Sequence, residues 1–326
     1  MPRLRRSNTS GPGLGRRRTR SGFRYIDEEG RPIHEPETIE RIAALVIPPA
    51  WTDVWISAHP NGHIQAVGTD LAGRRQYLYH PFWRKKQDER KFDRALDLAL
   101  ALPSARRRVT ADLRGPTGSR DRALATGFRL LDSARLRVGS ERFALEHGSH
   151  GLTTLLCGHA TVSGSTVALD FPGKSGQAWS SETTDDDLAT VIRSLKTRGA
   201  DARLLAWKNG QDWRPLSAQD MNDYVRLRTN GDFTAKDFRT LHGSIIAARA
   251  LRDFGVVSSQ RHQSKVISAA VAETADALGN TPAIAKASYI DPRIFDRYRT
   301  GEVLDNRGTQ PEPALRRLIL GNESES

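Results

Sequence analysis

The sequence predicts an α+β protein of two domains: a small β-rich one at the N-terminus and a larger, mainly α-helical one carrying a small antiparallel sheet. Three observations predict this. The chain has 326 residues, more than one hydrophobic core comfortably serves. Residues 22–89 alternate apolar and polar side chains in short runs broken by turn dipeptides. Beyond them apolar residues recur at helical spacing, with one three-stranded interruption. A hydrophobic content of 37% and a charged content of 27% are ordinary for a folded chain.

In chain order, residues 1–20 (MPRLRRSNTSGPGLGRRRTR) hold seven arginines and no acid. With their Gly, Ser and Pro, residues 1–21 are expected to be a disordered basic tail that adds phosphate affinity. No apolar stretch there matches a secretory signal. From Gly22 the runs FRYID, DVWIS, HIQAVGTD and RQYLYH read as strands, with one helix, PETIERIAALV, between them. Asn61-Gly62 and Ala72-Gly73 punctuate them as hairpin turns do. This gives a β-rich N-terminal domain over 22–89. The charged stretch RKKQDERKFD marks the junction with a second domain over 90–326. A helix starting near Arg120 places Leu124, Phe128 and Leu131 at i, i+4 and i+7, with Arg137 at its end. HATV, TVALDF and QAWSSET then form a meander whose second turn is PGKSG. Asp185, Asp186 and Asp187 look like metal ligands, but they open TTDDDLATVIRSLK, where acids favour the positive helix start. Ser217 and Asp220 form a capping box. Leu241, Ile245 and Ala248 make a core stripe in one later helix, and Val266, Ala269 and Ala270 in the next.

The net charge of +12 and a pI near 10.2 describe a surface that attracts a polyanion, most simply nucleic acid. The longest apolar run, LDLALALP, is far too short to span a bilayer. The single Cys157 excludes an intramolecular disulfide and fits a reducing compartment, so a cytoplasmic, nucleoid-associated protein is expected. No Cys/His spacing suits zinc and no HExxH occurs, which leaves metal catalysis without support. PGKSG is not a phosphate-binding loop, because Ala168 stands where that motif needs glycine. It is a hairpin turn with Lys174 at its tip. A lone turn lysine is ordinarily a solvated charge, and Arg137 in RLRVGSERF or Arg239 in KDFRTLHGS could each be a surface ion. Joined by Asn280 and Tyr289 they form a set with two guanidiniums, an acid, a neutral donor and a hydroxyl nucleophile. That set can transfer a phosphodiester without a metal.

The ordered segments IPPAWTDVWIS, GRRQYLYH, RVGSE, GLTTL, FPGKSG, KDFRTLHG and LGNTPAIAKASYI resemble the small type IB DNA topoisomerases of poxviruses and bacteria, over nearly the whole chain from Gly22. The resemblance implies a C-shaped, two-lobed clamp whose catalytic lobe is shared with tyrosine recombinases. It implies Tyr289 as nucleophile, Arg137 and Arg239 as transition-state clamp, Lys174 as general acid and Asn280 as a further phosphate donor. Many relatives have histidine where Asn280 stands; asparagine can donate a hydrogen bond but has no ionisable proton. The QYLY match implies that Gln76, Tyr77 and Tyr79 face the DNA major groove. There glutamine can pair with adenine and aromatic rings can pack on thymine methyls. Alternation with Leu78 alone would instead divide the two tyrosines between core and surface. The implied activity is relaxation of positive and negative supercoils in double-stranded DNA by a monomer. It proceeds through a 3′-phosphotyrosyl intermediate, strand rotation and religation, with no metal, ATP or other cofactor and no membrane partner. A tyrosine recombinase and a non-catalytic architectural DNA-binding protein are the alternatives.

Overall fold

Five short strands of the N-terminal ninety residues pair antiparallel in the order β2-β1-β3-β4-β5: β1 (Leu14–Thr19), β2 (Gly22–Ile26), β3 (Thr52–Ile56), β4 (Ile64–Thr69) and β5 (Arg75–Tyr79). The computed structural model describes residues 3–305 and 310–321, so Met1, Pro2 and the last residues of the expected catalytic domain lie outside the described residues. Helix α1 (Pro36–Ala44) packs Ile42 with Val54, Ile56 and Ala66 to make the small core of this unit. The chain divides into two compact units, Met1–Arg90 and Lys91–Ser326.

Among the described residues the basic tail expected to be disordered over 1–21 instead contributes Leu14–Thr19 to the sheet as β1. β1 lies between two neighbours, Gly15 pairing with both Ile26 and Trp55. Its inward cation hid this from the sequence pattern. The Arg16 guanidinium donates to the carbonyls of Ile47, Pro48 and Trp51 at 3.0, 2.9 and 2.8 Å and lies 4.2 Å over the Phe23 ring. It thereby ties β1 to the loop before β3. Ahead of β1, the Trp55 indole donates to the Gly11 carbonyl. Gly13 passes so close that a Cβ there would sit 2.2 Å from the indole nitrogen.

Helix α2 (Pro81–Leu113) contains the charged stretch expected as a junction, and the division between the units falls within that stretch. α3 (Arg120–Ala134) stops because Arg135 adopts left-handed φ/ψ of 57° and 28°, so Arg137 lies in the loop beyond the helix and not at its end. After α4 (Glu141–His147), the meander forms as β6 (Ala160–Ser163), β7 (Thr166–Pro172) and β8 (Ala178–Thr184), antiparallel and in sequence order. α5 (Asp186–Lys196) is capped by Asp185, whose carboxylate accepts from the Leu188 amide at 2.9 Å. A hairpin of β9 (Ala206–Asn209) and β10 (Asp212–Pro215) follows. Its Asn209-Gly210 turn is visible in the sequence but escapes the periodicity reading, because each strand has only four residues. The Ser217–Asp220 capping box opens α6 (Ala218–Thr229) as expected.

α7 (Ala235–Phe254) is buried on nearly every side, the mark of a core helix. Its start is fixed by Asp237, which accepts from the Thr234 amide and hydroxyl at 2.7 and 2.9 Å. Then come α8 (Gln260–Leu278), α9 (Pro282–Ser288), α10 (Pro292–Arg299) and α11 (Pro311–Leu320). No helix among the described residues is long and apolar enough to cross a membrane.

Because β1 is an interior strand, deleting residues 1–21 should lower the thermal midpoint of the N-terminal unit sharply. Arg16→Ala alone should cost about 1–3 kcal/mol by leaving three carbonyls without their donor. Thermal and chemical denaturation of the full chain and both variants measure these changes; a truncated chain of undiminished stability would show β1 to be dispensable.

Candidate active site

The last carbonyls of an α-helix have no intrahelical partner, and at the end of α8 two arginines take them. Arg239 donates from Nη2 to the Leu278 carbonyl at 2.7 Å, and Arg137 donates from Nη2 to the Gly279 carbonyl at 2.9 Å. Cations suit this negative end of the helix dipole. Gly279 takes left-handed φ/ψ of 56° and 52°, and the Asn280 amide donates back to the Ala275 carbonyl at 2.9 Å. This is a Schellman closure, and it fixes where Asn280 sits.

Arg239 also donates from Nη1 to the Arg135 carbonyl at 2.6 Å, so the left-handed residue that ends α3 supplies the second anchor. Arg137 reaches the Asn280 Oδ1 at 2.5 Å. A guanidinium only donates, so the amide must present its oxygen to Arg137 and its NH2 elsewhere. Asn280 Nδ2 and Arg239 Nε are buried and have no hydrogen-bond partner among the described residues. Two donors therefore remain beside the paired guanidiniums.

Tyr289 ends α9 beneath Arg239, whose guanidinium carbon lies 5.0 Å from the centre of the phenol ring. α9 is short and firmly started, with Pro282 in its first turn and the Thr281 side chain accepting from the Ile284 amide. Asp291 caps α10 directly afterwards. Between these two helices the Tyr289 backbone rests on α7. A Cβ added to Gly243 would stand 2.5 Å from the Tyr289 carbonyl oxygen. The Ser244 hydroxyl lies 3.4 Å from that oxygen and accepts from the Asp291 amide at 3.1 Å.

Burial and repulsion set the charges. Arg239 is 2% exposed; loss of water first, and the nearby charge of Arg137 second, lower its pKa to about 10, with Tyr289 opposing. Burial likewise lowers Arg137, and Tyr289 again opposes. The positive charge of Arg137 thus makes Arg239 less comfortable, and a negative group placed beside the two would relieve it. Lys174 lies at the exposed tip between β7 and β8, where the Gly173 amide donates to the Gln177 carbonyl at 2.7 Å. Among the described residues no hydrogen bond or ion pair holds its ammonium group.

A family model of the eukaryotic DNA topoisomerase I catalytic core matches residues 81–300. A second, of the bacterial DNA topoisomerase IB N-terminal domain, matches residues 22–70. The chain belongs to the type IB DNA topoisomerases. DNA topoisomerase 1B of Acanthamoeba polyphaga mimivirus is 27% identical over 316 residues, spanning 94% of each chain. DNA topoisomerase 1B of Vaccinia virus (strain Copenhagen) is 21% identical over 257 residues, 73% of this chain and 74% of that one. DNA topoisomerase 1 of Mycosarcoma maydis is 26% identical over 213 residues, 60% of this chain and 20% of its own.

Of the expected topoisomerase site, Arg137, Arg239, Asn280 and Tyr289 come together around the end of α8. In the N-terminal unit, Tyr77 and Tyr79 are both exposed, with stacked rings 6.1 Å apart, and Arg75 lies over Tyr77. Gln76 falls on the alternate row of β5 with Leu78, which packs on the small core, and its amide donates to Asp70 at 2.9 Å. The strand thus separates Gln76 from the two tyrosines it was grouped with. Sequence reasoning missed Gly243 and Ser244, although a glycine inside an apolar helix is a signal of close backbone approach.

Next to this pair, His242 has its Nε2 sealed from solvent, without a partner among the described residues. Burial lowers its pKa to about 4 from the ordinary 6.5, Asp132 and Glu312 opposing and Arg135 and Arg106 assisting. The unfolded chain therefore binds a proton that the folded one refuses. The stability this histidine supports is present above its ordinary pKa and is lost as pH falls from about 6.5 towards about 4, by at most roughly 1.4 kcal/mol per pH unit. His242→Asn should flatten that part of the stability curve, measured by denaturation across the window. Gly243→Ala should leave DNA binding intact and slow strand cleavage by about 10²-fold through displacement of Tyr289. Single-turnover cleavage measures this, and an unchanged rate would deny α7 the role of seat.

Proposed function

We propose that this topoisomerase relaxes supercoils of either sign in double-stranded DNA by passing a strand's phosphodiester to Tyr289 and back, with Arg137, Arg239, Asn280 and Lys174 assisting. One observation carries the reading. Two guanidiniums and an amide are anchored on the end of α8 beside a tyrosine ring.

In cleavage, the Tyr289 oxygen forms a bond to phosphorus and its proton leaves to solvent. The bond from phosphorus to the 5′ oxygen breaks, and Lys174 gives that oxygen a proton. The products are a 3′-phosphotyrosyl ester and a 5′ hydroxyl. Religation is the reverse, and because one ester replaces another it needs no ATP. Torsional strain turns the duplex about the intact strand in between.

The nonbridging oxygens gain negative charge on the way to the transition state, where Arg137 and Arg239 bind more strongly than in the ground state. Their anchoring carbonyls hold them in place beforehand. Asn280 contributes Nδ2 as a neutral donor and moves no proton. The two units are read as lobes of a tyrosine-recombinase-like clamp, with 22–89 holding DNA and 90–326 catalysing. This rests on family membership and on the exposed row of Arg75, Tyr77 and Tyr79. Gln76 reads a base only by exchanging Asp70 for it. The protein is proposed to act as a monomer on nucleoid DNA.

Purified protein should relax supercoiled plasmid in EDTA without ATP; plasmid left supercoiled refutes the proposal. Tyr289→Phe should bind DNA and form no covalent adduct, and a trapped ester in that variant removes Tyr289 from its role. Arg239→Ala should cleave about 10²- to 10³-fold more slowly in single-turnover assays. Affinity should fall with salt at a log–log slope of about −0.9 per phosphate neutralised.

A further inference from the structure

Lys174 sits at the tip of a hairpin, while the other members of the site sit on helix ends and a loop, so something must set the distance between them. The hairpin is tightly closed. β7 and β8 pair from Thr166↔Thr184 up to Phe171↔Trp179 and Pro172↔Ala178, and the residues between form the tip that carries Lys174.

Trp179 is the last large side chain before that tip. Its ring lies 6.3 Å from the ring of Phe171, its cross-strand partner, and its Nε1 donates to the Ser181 hydroxyl at 3.1 Å, which fixes the ring's orientation. The other edge of the indole lies on Gly279. A Cβ placed there would be 3.2 Å from Trp179 Cζ3 and 3.3 Å from Cε3, with Arg137 Nη1 at 3.8 Å. Gly279 is the residue whose carbonyl holds Arg137 and whose left-handed turn places Asn280. One flat ring therefore touches both the strand leading to Lys174 and the turn that carries the phosphate donors. Gly279 suits the turn by its positive φ, and a side chain there would press tightly on the indole.

We propose that Trp179 is a positioning residue for the general acid: it docks the β7–β8 hairpin on the Gly279 turn, so that Lys174 meets the departing 5′ oxygen while Arg137 holds the same phosphate. The inference rests on Lys174 serving as that acid. Removing the indole leaves Arg239 on α7 and Tyr289 at the end of α9 untouched, and Arg137 and Asn280 keep bonds to the α8 end in which the indole takes no part. The loss should therefore fall on protonation of the leaving group and not on attack.

The test compares single-turnover cleavage of a DNA with an ordinary 5′ oxygen at the scissile bond against one with sulfur there, whose thiolate leaves without a proton. Lys174→Ala should slow the oxygen substrate by about 10²- to 10⁴-fold and the sulfur substrate far less. Trp179→Ala should show the same selectivity, slowing the oxygen substrate by roughly 10²-fold, while Trp179→Phe, which keeps an aromatic face, should stay close to the unaltered protein. The double variant should be no slower on oxygen than Lys174→Ala alone. Trp179→Leu, which keeps apolar bulk in the core, carries the comparison if the alanine variant fails to fold. Equal slowing of both substrates by Trp179 variants, beside a selective Lys174→Ala, overturns the positioning role alone. Equal slowing by Lys174→Ala overturns the acid role and the inference with it.

Discussion

The end of α8 organises the catalytic unit. Any helix leaves its final carbonyls without partners, and ordinarily water or a turn supplies them. Here Leu278 and Gly279 offer theirs to Arg239 and Arg137, and the closing turn delivers Asn280 to the same place. Two cations that repel each other are held together because the helix end is negative and each guanidinium has a fixed acceptor. Asn280 in turn uses its oxygen on Arg137, which decides the direction of its remaining donors.

A second constraint comes from α7. The same buried helix carries Arg239 and, one turn further on, the bare backbone of Gly243 and the Ser244 hydroxyl against which Tyr289 is seated. Tyr289 and the Arg239 guanidinium therefore share one rigid support, and the freedom of both side chains is lost on folding. Burying Arg239 carries a desolvation penalty, visible in its lowered pKa. The carbonyls of Arg135 and Leu278 offset it, while Nε has no hydrogen-bond partner among the described residues.

Much of this was legible in the sequence because the signals are local. Asp185 and the Ser217–Asp220 pair announce helix starts within four residues of themselves. The meander shows its turns, and each chemical side chain of the site lies in a short distinctive segment. What stayed hidden depends on distant partners. Arg16 reads as one more charge in a basic run until it meets carbonyls 31 to 35 residues away. Gln76 reads as a neighbour of two tyrosines, yet strand alternation turns it to Asp70. The contact of Trp179 with Gly279 crosses from a sheet to a helix end, and no periodicity encodes it. Gly243 did leave a trace, since a glycine costs a helix interior about 1 kcal/mol relative to alanine.

The interior place of β1 has a consequence for folding. Leu14–Thr19 meets β2 across a tight turn, yet its other neighbour, around Trp55 and Ile56, lies far along the chain. Until that strand arrives, one edge of an arginine-rich segment is open, and any polyanion nearby competes for its cations. Closing the second edge therefore has to draw Arg16 onto the carbonyls of Ile47, Pro48 and Trp51, so that the charge of the segment and the completion of its sheet oppose each other.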